Sequence, residues 1–340
     1  MTQSLTGVQR YAIELSLKLR KMIDMEVIFI APNNIIQTQL AEALNAKCVG
    51  RLTGHLWEQL ELPFYLNKND LLINFCNTAP LLHRKKLITV HDLAFLQKEK
   101  WHNWPFRMFY SLIIPLLLKT TRCIITVSQT SKNEIVSRFG MNSDNVHVIY
   151  NAVTENSEHF RTKQMNKNYI LFVGSMDPRK NLERLISAFQ LVETTGVNLK
   201  IVGGNEKSFK EIRFNESKNN QIEFLGRVDD ETLFQLYSNA IAFIFPSLYE
   251  GFGLPPLEAI QKGCPVIGSD IEVFHEIYGD AMLYFDPRNE KSIADAIDLI
   301  CSSEQLRTEL IQKGQQLLKN YSFSISASKL VDLICSIYKK

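Results

Sequence analysis

The stretch PSLYEGFGLPPLEAIQKGCPVIGSD, residues 246–270, decides the fold of the second half of the chain. It follows an apolar run at residues 240–245 and carries Glu250 and Glu258, eight positions apart, with two consecutive prolines between them. Proline breaks a helix interior but suits its first turn, so one helix cannot carry both carboxylates. The pattern predicts a buried strand, a loop that carries Glu250, and a helix that begins at the prolines and carries Glu258.

This strand, loop and helix form the kind of place where α/β proteins bind ligands, beyond the carboxyl end of a strand. Gly251 and Gly253 allow the backbone to approach a ligand closely, and the N–H groups at the start of the helix favour an anion. Taken singly, Glu250 is equally explained as a solvated carboxylate and Glu258 as a partner of the helix dipole. The ordered set of features points to a binding site.

Short apolar, β-branched runs recur along the whole chain and predict the strands. They lie at residues 27–31, 71–75, 87–90, 123–127, 146–150, 169–173, 199–202, 222–225, 240–245, 265–268 and 281–285. Helical patterns, such as residues 181–192 and 230–239, separate most of them. Continuous apolar strands that alternate with amphipathic helices are typical of parallel sheets covered on both faces, so the fold class is α/β.

The 340 residues are too many for one core and divide into two domains. We predict an N-terminal domain over residues 1–152, a polar linker over 153–168, a C-terminal domain over 169–321 and a terminal helix over 322–340. A doubly wound domain needs a strand before its first helix, which residues 1–6 cannot supply. We therefore expect the first strand of the N-terminal domain to be missing and to lie upstream of Met1.

Composition excludes several classes of protein. With 45% apolar and 22% charged residues and no low-complexity run, the chain is globular rather than disordered. The N-terminus lacks the apolar region of a signal peptide, and no apolar run is long enough to span a membrane. The six cysteines show no CxxC spacing, which predicts reduced core thiols in a cytoplasmic protein.

The charge is unevenly distributed along the chain. Residues 1–151 hold 17 Lys+Arg against 11 Asp+Glu, a net of +6, and the remainder holds 21 against 25, a net of −4. No nucleic-acid motif accompanies the basic half, so nucleic acid is not an expected partner. An anionic membrane surface or a phosphorylated acceptor is favoured, with random surface bias as the alternative.

The nine residues from Glu250 to Glu258, EGFGLPPLE, resemble the E-x7-E motif of retaining, nucleotide-sugar-dependent glycosyltransferases of the GT-B fold, the glycosyl transferases group 1. Further stretches agree with this family in order along nearly the whole chain. They are TGVQRY at 6–11, VHDLAF at 90–95, TVSQTSKNEI at 126–135, VIYNAV at 148–153, FVGSMDPRKNLERLISAF at 172–189, IVGG at 201–204 and FLGRV at 224–228. The resemblance implies two Rossmann-like domains facing a cleft. The first would bind the acceptor and the second the nucleotide sugar, with the terminal helix returning to the first.

Glycosyl transfer releases a nucleoside diphosphate, so cationic groups must meet the departing phosphates. Arg179 and Lys180 follow the strand that ends at Val173 and suit this role, because arginine grips phosphate oxygens bidentately and lysine adds a point charge. Many relatives carry arginine directly after the glycine of this strand, where this chain has Ser175. We therefore assign phosphate binding to Arg179, although a solvated basic turn would show the same letters.

The resemblance also implies roles for other residues. Glu250 would bind hydroxyls of the donor sugar and Glu258 the ribose hydroxyls, while His91 would face the donor sugar from the first domain. With Arg179 and Lys180, His91 and Glu250 form the expected catalytic set. The remaining expected donor-site residues are Gly7, Gly174, Gly226, Gly251, Phe252, Gly253 and Leu254.

No D-x-D pair and no metal-ligand spacing occur, so we expect transfer without metal or any other cofactor. The P-R-K-N sequence resembles that of bacterial O-antigen and capsule mannosyltransferases, which makes GDP-mannose the first donor to test and a UDP-sugar the second. The expected acceptor is a lipid-linked or growing surface polysaccharide. The aromatic and basic segment 101–122 would then suit peripheral contact with the cytoplasmic face of the inner membrane, although a buried helix has the same composition.

Three other functions remain open at this point. A sugar-nucleotide epimerase would act on the donor without an acceptor, and a phosphorylase would need a lysine-linked pyridoxal cofactor. A non-catalytic nucleotide-sugar-binding subunit of a polysaccharide assembly complex would bind the donor without turnover.

Overall fold

A computed structural model describes residues 7–99, 101, 103–121, 123–154, 168–204 and 220–338 of the chain. The chain divides into two compact units. Unit 1 comprises Met1–Thr154 with Tyr321–Lys340, and unit 2 comprises Glu155–Asn320. The terminal segment therefore belongs to unit 1, although it follows unit 2 in sequence.

Unit 1 contains a four-stranded parallel sheet in the order β3-β4-β5-β6, together with a separate two-stranded parallel pair, β1-β2. The strands are β1 Ile30–Ala31, β2 Lys47–Cys48, β3 Leu72–Asn74, β4 Lys86–Thr89, β5 Cys123–Thr126 and β6 Val146–Val148. The helices are α1 Gly7–Met22, α2 Thr38–Leu44, α3 Gly54–Leu56, α4 Trp104–Thr120 and α5 Gln129–Phe139. A π-helical turn, Trp57–Glu61, and a 3₁₀ turn, Leu62–Tyr65, continue α3.

The helices of unit 1 begin and end where local chemistry dictates. Asn103 caps α4 by accepting the backbone N–H of Phe106, and a proline follows in the first turn. Ser128 caps α5 by accepting the N–H of Ser131, and Gly140 ends this helix in the left-handed conformation, at φ 60°. The apolar side of α4 packs on the buried strands β4 and β5 and forms the core of the unit.

Unit 2 contains a six-stranded parallel sheet in the order β12-β11-β10-β7-β8-β9. Its strands are β7 Tyr169–Val173, β8 Asn198–Val202, β9 Ile222–Gly226, β10 Ala242–Phe245, β11 Val266–Ser269 and β12 Met282–Phe285. Its described helices are α6 Leu182–Gln190, α7 Asp230–Asn239, α8 Leu254–Gln261, α9 Glu272–Tyr278, α10 Glu290–Ser302 and α11 Glu304–Leu317. The order places β7 and β10 side by side, although about 70 residues separate them.

The last helix, α12 Phe323–Tyr338, packs along α1. Lys18 Nζ on α1 donates a hydrogen bond of 2.8 Å to Ser324 Oγ, and Ser326 Oγ donates one of 2.8 Å to the carbonyl of Tyr150. The Tyr321 ring meets the Tyr150 ring edge-on, with centroids 5.4 Å apart. These contacts attach the end of the chain to α1 and to Tyr150, both in unit 1.

Several sequence expectations need correction at this level. Strand β1 covers two residues rather than residues 27–31, because this run is only partly buried and Ile28 is 49% exposed. Not all cysteines are core thiols, since Cys48 and Cys76 are exposed. Much of the expected linker, residues 155–167, lies outside the described residues. No helix among the described residues has the length and apolar character needed to cross a bilayer.

Candidate active site

The loops that follow β7 and β10 bring Lys180 and Glu250 into direct contact. Lys180 Nζ lies 2.5 Å from Glu250 Oε1, and their side chains are only 13% and 9% exposed. The same ammonium group lies over the ring of Phe245, 4.8 Å from its centroid. Arg179 adds a second cation, its Nε 3.8 Å from Asp177 Oδ2. The two basic residues and the loop carboxylate that the sequence singled out are therefore neighbours at the carboxyl ends of adjacent strands.

Backbone hydrogen bonds hold the two loops together. The N–H of Leu248 donates to the carbonyl of Arg179 over 2.9 Å, which fixes one loop against the other. Asp177 accepts the N–H of Arg179 at 2.9 Å and starts the short 3₁₀ turn Pro178–Lys180. Both hydrogen bonds involve backbone atoms of Arg179. They therefore fix the backbone of Arg179 and Lys180 whatever rotamers these two side chains adopt.

Asn181, which the sequence reasoning did not assign to the site, joins three loops. It is 7% exposed and adopts the left-handed conformation at φ 59°, an uncommon state that asparagine tolerates better than most residues. Its Nδ2 donates to the carbonyls of Pro246 at 3.1 Å and Pro287 at 2.7 Å, and its Oδ1 accepts from Arg184 Nη1 at 3.0 Å. The only signal in the sequence was an asparagine at a loop-to-helix boundary, where such a residue is ordinarily a cap.

Charge neighbours set the protonation state of Glu250. Burial alone would raise the pKa of this carboxyl group. The charges of Lys180 and Arg179, together with hydrogen bonds to the carboxylate, outweigh this effect and lower the pKa below its ordinary value of 4.5. Glu250 is therefore ionised at neutral pH and is an acceptor for hydrogen bonds.

Glu258 lies on α8, one turn beyond the loop that carries Glu250. Gly253 precedes the helix at φ 88°, and a Cβ there would come within 2.7 Å of the Phe274 ring, so only glycine fits. The hydroxyl of Tyr237 lies 3.5 Å from Glu258 Oε2, and that of Tyr278 donates to the carbonyl of Gly253. Helix α8 thus starts at a fixed point. Because Pro255 and Pro256 have no N–H, only Leu254 and Leu257 present backbone N–H groups in its first turn.

The other glycine-rich strand ends are also closely packed. A Cβ on Gly203, which has φ 117°, would overlap the carbonyl oxygen of Gly174. The N–H of Gly174 donates to Val202, and the N–H of Gly203 donates to Gly226 at 2.7 Å. The three glycines therefore let the carboxyl ends of β7, β8 and β9 converge. The side chains of Phe252 and Leu254 are buried, which leaves their backbone groups as the parts that could meet a ligand.

The two expected site residues of unit 1 are His91 and Gly7. His91 is 6% exposed, its Nε2 lies 2.7 Å from the carbonyl of Phe75, and Asn77 Oδ1 accepts its backbone N–H at 2.9 Å. The ring of Tyr11 packs against it edge-on at 5.2 Å. Gly7 is the first residue of α1.

The position of the His91 ring fixes its tautomer and charge. A carbonyl oxygen only accepts hydrogen bonds, so Nε2 carries the proton and Nδ1 is the basic nitrogen. Burial lowers the pKa of His91, against smaller opposing effects of the Phe75 carbonyl and Asp92. The imidazole is therefore neutral at pH 7 and offers Nδ1 as an acceptor.

Among the residues that the structure describes, no cluster of three or more His, Cys, Asp or Glu side chains could hold a metal ion. At the described loops after β7 and β10, Arg179, Lys180 and the start of α8 are groups that could neutralise an anion. This arrangement can bind a diphosphate with cations and backbone N–H groups while an adjacent carboxylate accepts hydrogen bonds from hydroxyl groups.

Two family models match the chain and together cover residues 5–317. "Glycosyl transferases group 1" matches residues 153–317, and "Glycosyltransferase Family 4" matches residues 5–156. Among curated relatives, the O-antigen chain mannosyltransferase RfbU of Salmonella typhimurium strain LT2 is 30% identical over 345 residues, covering 94% of this chain and 92% of the relative. The O-antigen chain mannosyltransferase B of Escherichia coli is 26% identical over 368 residues, with 96% and 95% covered.

Solved structures agree on the fold. Anabaena HepE in complex with UDP and glucose superposes with a TM-score of 0.78 at 17% identity, covering 97% of this chain and 96% of that one. WaaG, a glycosyltransferase involved in lipopolysaccharide biosynthesis, gives 0.75 at 14% identity, with 98% and 97% covered. The chain belongs to the glycosyl transferases group 1 and is a glycosyltransferase of the GT-B fold.

Proposed function

We propose that this glycosyltransferase transfers a hexose from a nucleotide sugar to a growing surface polysaccharide, with retention of configuration and without a metal ion. The names of its relatives RfbU and mannosyltransferase B, both O-antigen chain mannosyltransferases, support mannose as the sugar and an O-antigen type of acceptor. GDP-mannose is accordingly the first donor to test. The UDP bound by HepE supports a UDP-sugar as the second.

The observation that carries this proposal is the buried contact between Lys180 and Glu250, with Arg179 beside it. Loss of a nucleoside diphosphate from the anomeric carbon places negative charge on the leaving phosphate. The oxygens of an arriving diphosphate can form an ion pair with the ammonium group of Lys180 in place of the one it makes with Glu250. Glu250 can then accept hydrogen bonds from hydroxyl groups of the sugar, so binding of the leaving group and binding of the sugar are linked.

The remaining residues of unit 2 suit the nucleoside part of the donor. An ionised carboxylate can accept both hydroxyls of a ribose, which fits the proposed role of Glu258. The Tyr237 hydroxyl lies within reach of that carboxylate and would orient it. The N–H groups of Leu254 and Leu257 at the start of α8 would bind phosphate oxygens beside it.

His91 would contribute as a neutral acceptor rather than as a charged group. The protonated Nε2 donates to the Phe75 carbonyl, so Nδ1 would accept a hydrogen bond from a sugar hydroxyl. This role rests on the family resemblance and on the tautomer. Loss of the ring in His91→Ala should lower kcat without abolishing binding of the nucleoside diphosphate.

The cellular setting proposed here is the cytoplasmic face of the inner membrane. Unit 1 holds 20 Lys+Arg against 12 Asp+Glu, a net of +8, whereas unit 2 holds 18 against 24, a net of −6. Positive charge on the unit proposed to bind the acceptor would draw it to anionic lipids and to a lipid-linked glycan.

A donor screen tests the proposal. Calorimetry with UDP-, GDP-, dTDP- and ADP-sugars should show one preferred nucleotide, GDP, and the preferred sugar should then appear in glycan made from a membrane acceptor. Glu250→Gln should lower kcat by more than it weakens GDP binding, and the exposed Glu231→Gln should change neither. Binding of a donor without turnover would instead favour a non-catalytic subunit, and conversion of the donor without an acceptor would favour an epimerase.

A further inference from the structure

A groove of about 320 Å³ lies at the free edge of the four-stranded sheet of unit 1. Its floor is formed by residues 146–149, which are the edge strand β6 and the residue that follows it, and its walls are formed by α5 and α12. In the described part of the chain β6 pairs with β5 alone, so its other edge carries no strand. The residues that line the groove are all different from those of the candidate active site.

Three basic side chains line this groove, one from each of the three elements. Lys132 lies on α5, His147 on β6 and Lys329 on α12. Lys329 is exposed, whereas Lys132 and His147 are half-buried. Among the described residues, no carboxylate lies within the ion-pair distance of 4.0 Å from the ammonium group of Lys132 or Lys329. The groove therefore collects positive charge that no acidic side chain of the described protein pairs with directly.

The charges around His147 show that the groups of the groove act on one another. Burial lowers the pKa of His147, and the charge of Lys132 lowers it further. Asp144, in the turn before β6, opposes them with a smaller effect. The imidazole is therefore neutral at pH 7, and the two lysines carry the positive charge of the groove.

Lys329 is positioned by an aromatic ring, and the rest of the lining is mainly apolar. Its Nζ lies 5.5 Å from the centroid of the Tyr150 ring, a distance at which a cation and a ring attract each other. Ser326 Oγ donates to the carbonyl of the same tyrosine at 2.8 Å, which fixes α12 beside the end of β6. Apart from the basic groups and Gln129, the lining side chains are Val146, Val148, Ile149 and Leu333. A ligand with an anionic group and a compact organic part matches this lining.

We propose that the groove binds a small phosphorylated molecule, whose phosphate group is bound by Lys132 and Lys329 and whose organic part lies on the apolar floor. A phosphate monoester carries a charge of about −1.5 to −2 at pH 7, which two lysines can neutralise, whereas a carboxylate carries only one charge. The volume is at the lower end of the range for small-molecule pockets, about 300–1,000 Å³, so a sugar phosphate is a better match than a nucleotide sugar. This site is separate from the proposed donor site and does not depend on it.

The two lysines also have a simpler possible role. Lysine beside a free strand edge deters that edge from pairing with a second chain. This role needs no ligand, and it predicts that loss of the lysines promotes self-association. The proposal predicts instead a saturable site, because α5, β6 and α12 each contribute a residue to one groove.

Calorimetry with the purified full chain tests the proposal, with glucose 6-phosphate as the probe and glucose as the matched neutral molecule. The wild type should bind glucose 6-phosphate and should not bind glucose. Lys132→Met and Lys329→Met should each weaken binding by about tenfold, as expected for one charged hydrogen-bonding group. The control Lys21→Met/Lys119→Met removes two exposed lysines from the same unit and should bind like the wild type.

A second variant separates the groove from the phosphate-binding groups proposed in unit 2. Arg179→Ala should bind glucose 6-phosphate like the wild type. Loss of binding in Arg179→Ala, with unchanged binding in both lysine variants, would assign the probe to unit 2 and overturn the proposal. Inorganic phosphate should bind more weakly than the ester, and equal affinities would support the same site with free phosphate as its occupant.

Proton NMR of His147 gives a readout that is local to the groove. Its ring resonances can be assigned by their absence in His147→Gln. A phosphate group beside the ring favours the imidazolium form, so saturating glucose 6-phosphate should raise the pKa of His147 against the effect of Lys132. An unchanged titration, equal binding of glucose, or no binding of the probe by the wild type would each overturn the proposal.

Discussion

Replacement of Asn181 should separate what its side chain and its backbone conformation each contribute to the free energy of unfolding of unit 2. In Asn181→Ala three hydrogen bonds are lost, those donated to the carbonyls of Pro246 and Pro287 and the one accepted from Arg184, at about 1 kcal/mol each. Alanine at φ 59° adds about 1 kcal/mol of backbone strain, for a total of about 4 kcal/mol. Asn181→Gly loses the same hydrogen bonds but relieves the strain, so it should be less destabilised than the alanine variant, by about 1 kcal/mol.

Hydrogen exchange of the buried amides of β7 and β10 measures the free energy of unfolding of unit 2 in the intact chain. The same variants should bind the nucleoside diphosphate more weakly, because Asn181 holds the loop of Lys180 to the loop of Glu250. Asn181→Asp keeps the shape of the side chain and the tolerance for φ 59° but removes the Nδ2 donor. Unchanged hydrogen exchange and unchanged nucleoside diphosphate affinity in Asn181→Asp would show that the Nδ2 donor does not hold the two loops together. A glycine variant less stable than the alanine variant would show that the left-handed backbone of Asn181 is not strained by alanine.

Three further predictions concern the cationic site. Arg179→Ala should weaken nucleoside diphosphate binding by roughly tenfold, as expected for one charged hydrogen-bonding group, and wild-type affinity in calorimetry would contradict its phosphate role. The lowered pKa of Glu250 contributes stability that is present above pH 4.5 and lost as pH falls below it, so acid unfolding of Glu250→Gln should depend less steeply on pH than that of the wild type, and parallel curves would count against the ion pair. Transfer should survive EDTA, whereas activity lost to EDTA and restored by magnesium or manganese would show that a metal takes part.

The regular elements of unit 2 were the most predictable from sequence. The runs at residues 169–173 and 230–239 match β7 Tyr169–Val173 and helix α7 Asp230–Asn239 at both ends. These segments are buried strands or capped helices, where local pattern and tertiary burial agree. The run at residues 27–31 was less predictable, because strand length depends on burial that only the fold supplies.

The site was predictable as a set of residues but not as a set of contacts. Arg179, Lys180 and Glu250 were recognised separately, as phosphate and sugar ligands. Their adjacency depends on the pairing of β7 with β10, in which Ile170 lies opposite Ala242, and no local pattern reveals that pairing. The sequence also left open whether segment 101–122 is buried or exposed, since an apolar helix gives the same letters whether one face or both are covered, and only the fold shows that Trp104 and Leu112 on α4 are exposed.

The division of unit 1 between the two ends of the chain affects how the protein is made. Unit 2 is one continuous stretch and can fold as soon as it leaves the ribosome, whereas α1 must wait for α12, which is synthesised more than 300 residues later. Until then α1 lacks one of the helices on which it packs in the finished protein. Folding of unit 1 should therefore be complete only when translation is nearly over.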